Sequence, residues 1–86
     1  MKVLVIGQLT GKDIRPHLPA EGRRVAEPRK EGLIRDVFFK ADRTGPVLVL
    51  NDTNARDAPA RLAGLPFVEH DLVTFDYVEL DDSSPA

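Results

Sequence analysis

The absence of cysteine constrains this chain of 86 residues more than any other feature of its sequence. Without disulfides, a domain of this size relies on one hydrophobic core, which buries only about 60 to 65% of the surface of the unfolded chain. Such a core gives marginal stability and favours association with a second chain. The same absence excludes thiolate catalysis and cysteine-ligated zinc or iron–sulfur sites.

The charge balance argues against nucleic acid and membrane partners. The chain has 12 basic residues (Lys and Arg) and 14 acidic ones, so its net charge is −2, with no basic excess to attract phosphate backbones or anionic lipid. No segment has the roughly 18 consecutive apolar residues of a membrane helix, and the opening apolar run is too short for a signal peptide. With hydrophobic residues at 42% and charged residues at 30%, the sequence predicts a globular, cytoplasmic protein.

Four apolar, β-branched runs predict the strands of one sheet. They cover residues 3–9, 33–41, 46–50 and 72–80. The second and third runs are joined by a loop whose Asp42 and Gly45 suit a hairpin turn, so these two strands should pair antiparallel. We therefore predict a single domain over residues 1–80, followed by a disordered acidic tail over residues 81–86.

Between these strands, two segments have apolar residues at helical spacing, and each predicts a helix. The first helix should start near Pro16 and stop at Gly32. We expect a break in it near Glu27, because Pro28 removes a backbone donor from the helix interior. The second helix should be short, with Asp57 as its N-cap.

The resulting order, βαββαβ, is typical of a ferredoxin-like α+β fold, a four-stranded antiparallel sheet with two helices on one face. Both faces of the predicted sheet carry apolar side chains. The uncovered face would then expose a sizeable apolar patch, to which we assign Leu4, Ile6, Leu48 and Leu50. Packing of this face against the same face of another subunit would cover the patch, so we expect a homodimer or higher homo-oligomer built as a dimeric α+β barrel.

Two regions of the sequence carry a family resemblance. They are Glu31-Gly32 with the following Ile34-Arg35, and the segment Leu62-Ala63-Gly64-Leu65-Pro66, whose proline ends the second helix before the last strand. In these residues the chain resembles the muconolactone isomerase-like proteins of the dimeric α+β barrel superfamily. The resemblance implies small cyclic or polyketide-like acids and lactones as ligands, bound between the sheet and the helices. It also implies proton transfer without an organic cofactor.

Histidine is the side chain best suited to proton transfer near neutral pH, and the chain has two. His17 and Glu21 are four residues apart, so Glu21 could orient His17 as a catalytic base; the alternative is an exposed pair on a helix surface. His70 lies between Glu69 and Asp71 and is either a second catalytic group or a loop histidine. The two histidines and Glu21 could also form a facial triad, but their spacing is not distinctive, and we predict no metal and no other cofactor.

A second set of residues is predicted to bind the substrate: Gln8, Arg35, Phe39, Asp76 and Tyr77. Gln8 and Asp76 would be among the few polar groups in an apolar barrel interior. Arg35 could clamp a carboxylate, Phe39 could stack on a flat ring, and Tyr77 could donate a proton or anchor a hydrogen bond. Hydrogen bonding at the edge of the core, salt bridges at strand edges and ordinary ring packing are the alternative explanations.

These observations favour a small cofactor-independent isomerase, lyase or cyclase that moves a proton on a cyclic acid, lactone or polyketide-derived substrate. In this hypothesis His17 is the base, Glu21 orients it, and Arg35 anchors a substrate carboxylate or enolate. Two alternatives stay open. One is a non-catalytic module that binds a small molecule or forms oligomers, and the other is a cofactor-free monooxygenase of aromatic polyketides.

Overall fold

A four-stranded antiparallel sheet organises residues 2–81, which are the residues that the computed structural model describes. The strands are β1 (Lys2–Leu9), β2 (Ile34–Phe39), β3 (Pro46–Asn51) and β4 (Val73–Leu80). They lie in the order β2-β3-β1-β4, and each neighbouring pair is antiparallel. The predicted α+β class and four-stranded antiparallel sheet are confirmed, and the sheet is compatible with a ferredoxin-like fold. Apart from its first residue, the predicted tail lies outside the described residues.

Three α-helices occur within residues 2–81, where the sequence predicted two. They are α1 (Leu18–Lys30), which follows a 3₁₀ turn at Arg15–His17, then α2 (Ala58–Leu62) and α3 (Pro66–Glu69). Each begins with a proline in its first turn, where the missing N–H costs no helical hydrogen bond. Asp57 is the N-cap residue of α2, as predicted, but Pro66 starts α3 instead of only ending α2. In the described part of the chain, no helix is long and apolar enough to span a membrane.

The break predicted near Glu27 is wrong, because α1 continues through Pro28 to Lys30. Pro28 lies in the last turn, so little of the helix follows the bond that it removes. Beyond it, the N–H of Glu31 still donates to the carbonyl of Glu27 at 2.9 Å. Gly32 then adopts a φ of +88° and ends the helix, which confirms the predicted stop.

The core lies between the helices and one face of the sheet, here called the covered face. Its largest fully buried side chains are Val3, Val5, Ile34, Leu50 and Leu62. The assignment of Leu48 and Leu50 to the uncovered face is wrong. In the register of β1 and β3, Val5 is opposite Leu48 and Val3 is opposite Leu50, and all four are buried on the covered face.

The opposite face of the sheet, here called the open face, also carries apolar side chains. Alternation along the strands places these residues on it: Leu4, Ile6, Phe38, Val47, Val49 and Val78. Phe38 is 57% exposed and Val78 is 45% exposed, whereas the residues of β1 and β3 at the centre of the face are half-buried. The sequence correctly assigned Leu4 and Ile6 to an uncovered apolar patch.

The predicted hairpin between β2 and β3 is confirmed by their antiparallel pairing. It closes with the N–H of Lys40 donating to the carbonyl of Gly45 at 2.9 Å, while Arg43 takes the left-handed conformation with a φ of 65°. Gly45 packs against the backbone of Gly7 so closely that a side chain at residue 45 would overlap the Gly7 carbonyl. The turn therefore uses its glycine for close approach between backbones and not for a positive φ.

Candidate active site

Helix α1 has thirteen residues and buries none of them completely. The side of the helix that faces the sheet carries Leu18, Glu21, Gly22 and Val25, at the spacing i, i+3, i+4 and i+7. In a tightly packed helix this stripe is apolar and buried. Here Leu18 is 48% exposed, Gly22 is exposed, and the other two are only half-buried. The helix therefore stands away from the sheet at this point and leaves an open space beneath it.

This space is a cleft of about 420 Å³, within the usual size range of small-molecule sites. We call it the α1 cleft. Helix α1 forms one wall, strands β2 to β4 form the other, and α3 contributes one residue. The lining residues are Leu18, Glu21, Gly22, Val25, Val37, Phe39, Pro46, Leu48, Phe67 and Phe75. Phe38 also borders the cleft from the edge strand β2, although alternation places its side chain on the open face.

Glu21 is the one polar side chain among the residues that line the α1 cleft. Its Oε1 atom accepts a hydrogen bond of 3.0 Å from the backbone N–H of Phe67. Burial raises the pKa of the Glu21 carboxyl above its ordinary value, and the bond from Phe67 opposes this rise without cancelling it. A carboxyl group with a raised pKa in an apolar cleft can act as a general acid or base.

The two histidines meet, but outside the lining of the α1 cleft. The rings of His17 and His70 stack with centroids 4.3 Å apart and planes inclined by 33°. Within residues 2–81, no hydrogen bond or ion pair joins His17 to Glu21, whose carboxylate instead bonds to Phe67. The described residues also contain no group of three or more acidic or histidine side chains arranged to hold a metal, so the facial triad is not formed there.

Two of the predicted binding residues lie on or next to the α1 cleft. Phe39 lines it directly and is 40% exposed. Tyr77 is half-buried on the covered face and contacts Phe75, a lining residue, edge to face at 6.2 Å between centroids. Burial raises the pKa of the Tyr77 phenol. Tyr77 thus supports the wall of the cleft through Phe75.

The other three predicted binding residues lie elsewhere. Gln8 and Asp76 are exposed at the polar margin of the open face, and Gln8 accepts a hydrogen bond of 3.5 Å from Lys40 Nζ. Arg35 lies at an irregularity in the pairing of β2 with β3, and its Nε atom is 3.5 Å from a carboxylate oxygen of Asp36. The predicted set is therefore divided among the cleft, the histidine pair and the surface of the sheet.

Sequence reasoning missed Gly22, Phe67 and Phe75 as parts of the site. The signal for Gly22 was present, because it follows Leu18 by four residues and precedes Val25 by three. Phe75 lies within the predicted fourth strand but was given no role. Phe67 could not be found, since helix α3 was not predicted.

A second groove, of about 480 Å³, lies between α1 and α2 and is mostly charged. It is lined by Arg23, Arg24, Glu27, Pro28, Glu31, Leu33, Arg61, Gly64 and Leu65. Basic and acidic side chains are mixed in it, which is typical of a solvated helix surface. The α1 cleft is the better candidate because it combines an apolar lining with one desolvated acid.

No protein-family model and no curated protein matches the chain.

Proposed function

We propose that this protein is a small cofactor-independent enzyme that transfers a proton on a flat, mainly apolar cyclic acid, lactone or polyketide-derived substrate held in the α1 cleft. One observation carries the proposal: Glu21 is the one polar side chain in an apolar cleft, and its pKa is raised by burial. Isomerases, lyases and cyclases of such substrates share the step that this group can perform, removal of a proton from carbon, and an isomerase then returns that proton to another carbon.

In this proposal the base is Glu21, and His17 has a different role from the one suggested by the sequence. The N–H of Phe67 holds Oε1, so Oε2 is the oxygen that takes the proton. Poor solvation makes the carboxylate more basic than a surface glutamate. The rings of Phe39 and Phe75 provide flat apolar surfaces for the substrate. The stacked histidines hold α3, and with it Phe67, against α1.

The proposal includes the full ferredoxin-like order βαββαβ and a homodimer that pairs two open faces as a dimeric α+β barrel. The resemblance to muconolactone isomerase-like proteins supports this arrangement. The apolar centre of the open face, formed by β1 and β3, also supports the homodimer. In a two-fold dimer, the same patch of the second subunit would cover it. We also retain the cytoplasm as the proposed location, on the sequence alone.

Proton transfer can be tested with 5-nitrobenzisoxazole, a flat apolar carbon acid. A base removes its ring C–H proton, the electron pair forms a nitrile, the N–O bond breaks, and a coloured cyanonitrophenolate is released. We expect Glu21→Gln to lower kcat/KM at least about 100-fold, the usual contribution of a general base. Glu27→Gln is the matched control, since Glu27 is exposed on the same helix and outside the cleft. Equal rates for the two variants, or a wild-type rate no higher than that of free acetate, would refute the proposal.

The homodimer has its own test. Val49 lies near the centre of the open face, and Val49→Glu places a charge there. We expect this variant to sediment as a monomer at concentrations where the wild type is a dimer. Ala26→Glu adds the same charge on the exposed side of α1 and should remain dimeric. A monomeric wild type would remove the barrel from the proposal and leave the cleft unaffected.

A non-catalytic binding module is the second candidate function. It is favoured by the scarcity of polar groups in the α1 cleft, where no second side chain can stabilise charge on a substrate oxygen. In that case a flat apolar ligand binds with Glu21 as its hydrogen-bond partner. Binding of 5-nitrobenzisoxazole without turnover would distinguish this function from catalysis.

A further inference from the structure

Gly22 occupies the middle of the α1 wall of the cleft, directly after Glu21. Glycine is among the least favourable residues in a helix interior, because it loses more conformational freedom on folding than other residues. A Cβ atom built at residue 22 meets no atom within 4 Å. The helical backbone and the packing of the chain would therefore accept alanine here.

Four of the five other glycines of the chain have evident structural reasons. Gly11 and Gly32 adopt φ values of +97° and +88°, which side chains rarely allow. Gly7 and Gly45 face backbone atoms at distances that exclude a Cβ. At Gly22 neither reason applies, and the residue is part of the lining of the α1 cleft.

We propose that Gly22 determines which substrates the α1 cleft accepts, by leaving the backbone of α1 bare so that a planar ring can lie against it. The ring would then lie between Gly22 and the wall that contains Val37, Phe39 and Phe75, with its edge within reach of Glu21. Within the proposed substrates this favours the neutral ones, lactones or polyketide-derived molecules of one or two fused rings, because the lining in the described part of the chain contains a carboxyl group and no basic side chain. This inference rests on the proposed use of the cleft, although it does not depend on turnover.

Side chains of increasing size at residue 22 should therefore exclude ligands progressively. The binding probe is N-phenyl-1-naphthylamine, a neutral aromatic fluorophore whose emission rises in apolar sites. We expect Gly22→Ala to bind it more weakly than the wild type and Gly22→Leu to raise its Kd at least about tenfold, as steric exclusion in an apolar pocket does. The same two variants should raise KM for 5-nitrobenzisoxazole in the same order.

The matched control is Ala26→Leu, which adds nearly the same bulk one turn later, at an exposed residue outside the lining of the α1 cleft. It should leave the Kd of the fluorophore within about twofold of the wild-type value, a change of less than 0.5 kcal/mol. A second readout is stability, because Gly22→Ala should unfold at a higher urea concentration than the wild type. A gain in stability accompanied by a loss of binding is the result that a role in ligand access predicts.

Three outcomes would overturn the inference. In the first, Gly22→Leu binds the fluorophore as tightly as the wild type does. In the second, the wild type does not bind the fluorophore at all. In the third, Gly22→Ala is less stable than the wild type. If Gly22→Leu does not fold, Gly22→Ala still decides the question through both readouts. Failure of the proposed function looks different: Glu21→Gln would leave the turnover of 5-nitrobenzisoxazole unchanged, while the Gly22 variants would still weaken binding of the fluorophore.

Discussion

The imidazole rings of His17 and His70 stack with 4.3 Å between their centroids, and they join the start of helix α1 to the end of helix α3. One turn further along α1, Glu21 accepts a hydrogen bond from Phe67 at the other end of α3. A helix of four residues has no stability of its own. These two contacts therefore help to fix α3, and through Phe67 they fix one wall of the cleft.

We predict that His17 and His70 stabilise the fold jointly. In a double-mutant cycle with His17→Ala and His70→Ala, the coupling free energy should be about 0.5 to 1.5 kcal/mol in favour of the native state, the range found for aromatic pairs. Urea denaturation of the four proteins measures it. Additive effects of the two substitutions would show that the stack contributes nothing.

The raised pKa of Glu21 predicts a particular dependence of stability on pH. Its carboxyl binds a proton more tightly in the folded chain than in the unfolded one, where its pKa is about 4.5. The stability that this proton binding contributes is therefore fully present below pH 4.5 and is lost as the pH rises through the raised pKa. The free energy of unfolding of the wild type, relative to Glu21→Gln, should fall over this window, as measured by urea denaturation at successive pH values.

Asp13 provides a control of opposite sign. Its hydrogen bonds with Arg15 lower its pKa below the ordinary value of 3.8. Its stabilising contribution is therefore present above pH 3.8 and is lost as the pH falls through the lowered pKa. Relative to Asp13→Asn, the wild type should lose stability as the pH falls. Relative to Glu21→Gln, the wild type should lose stability as the pH rises. The same direction of change in both comparisons would contradict the assignment for Glu21.

The sheet could be predicted because its signals are local. Apolar, β-branched runs indicated the four strands, and the loop that ends at Gly45 indicated the hairpin. The assignment of Leu48 and Leu50 to the uncovered face failed because it required the register between β1 and β3. A shift of one residue exchanges the two faces of a strand, and the apolar character of both faces left the register undetermined.

The site was predicted only in part, because its geometry depends on a helix that the sequence did not reveal. Glu21 and Phe39 were named as site residues, and both line the α1 cleft. The partner assigned to Glu21 was His17, on helical spacing alone, whereas the structure gives it the N–H of Phe67. That contact joins residues 46 positions apart, which periodicity within one helix cannot indicate.

Pro28 leads to a prediction about stability. Because it has no N–H, the carbonyl of Arg24 loses its helical hydrogen bond, although α1 continues to Lys30. We expect Pro28→Ala to restore this bond and to raise the free energy of unfolding by about 1 to 3 kcal/mol, with the upper value corresponding to a proline in mid-helix. Thermal unfolding and amide exchange at residue 28 measure the effect. A less stable variant would mean that the ring of Pro28 contributes more by packing than it costs the helix.

Thr53 carries a hydroxyl with an unmet hydrogen-bonding requirement. The residue is 7% exposed, and its Oγ1 atom is buried without a hydrogen-bond partner in the described part of the chain. Burial of an unpaired hydroxyl costs about 1 to 3 kcal/mol, and valine has nearly the same shape without the hydroxyl. We therefore expect Thr53→Val to raise the free energy of unfolding by about 1 kcal/mol. Thr53→Ser, which keeps the hydroxyl and loses the methyl group, should lower it in the same urea titration. A loss of stability in Thr53→Val would show that the hydroxyl has a partner, such as a bound water molecule.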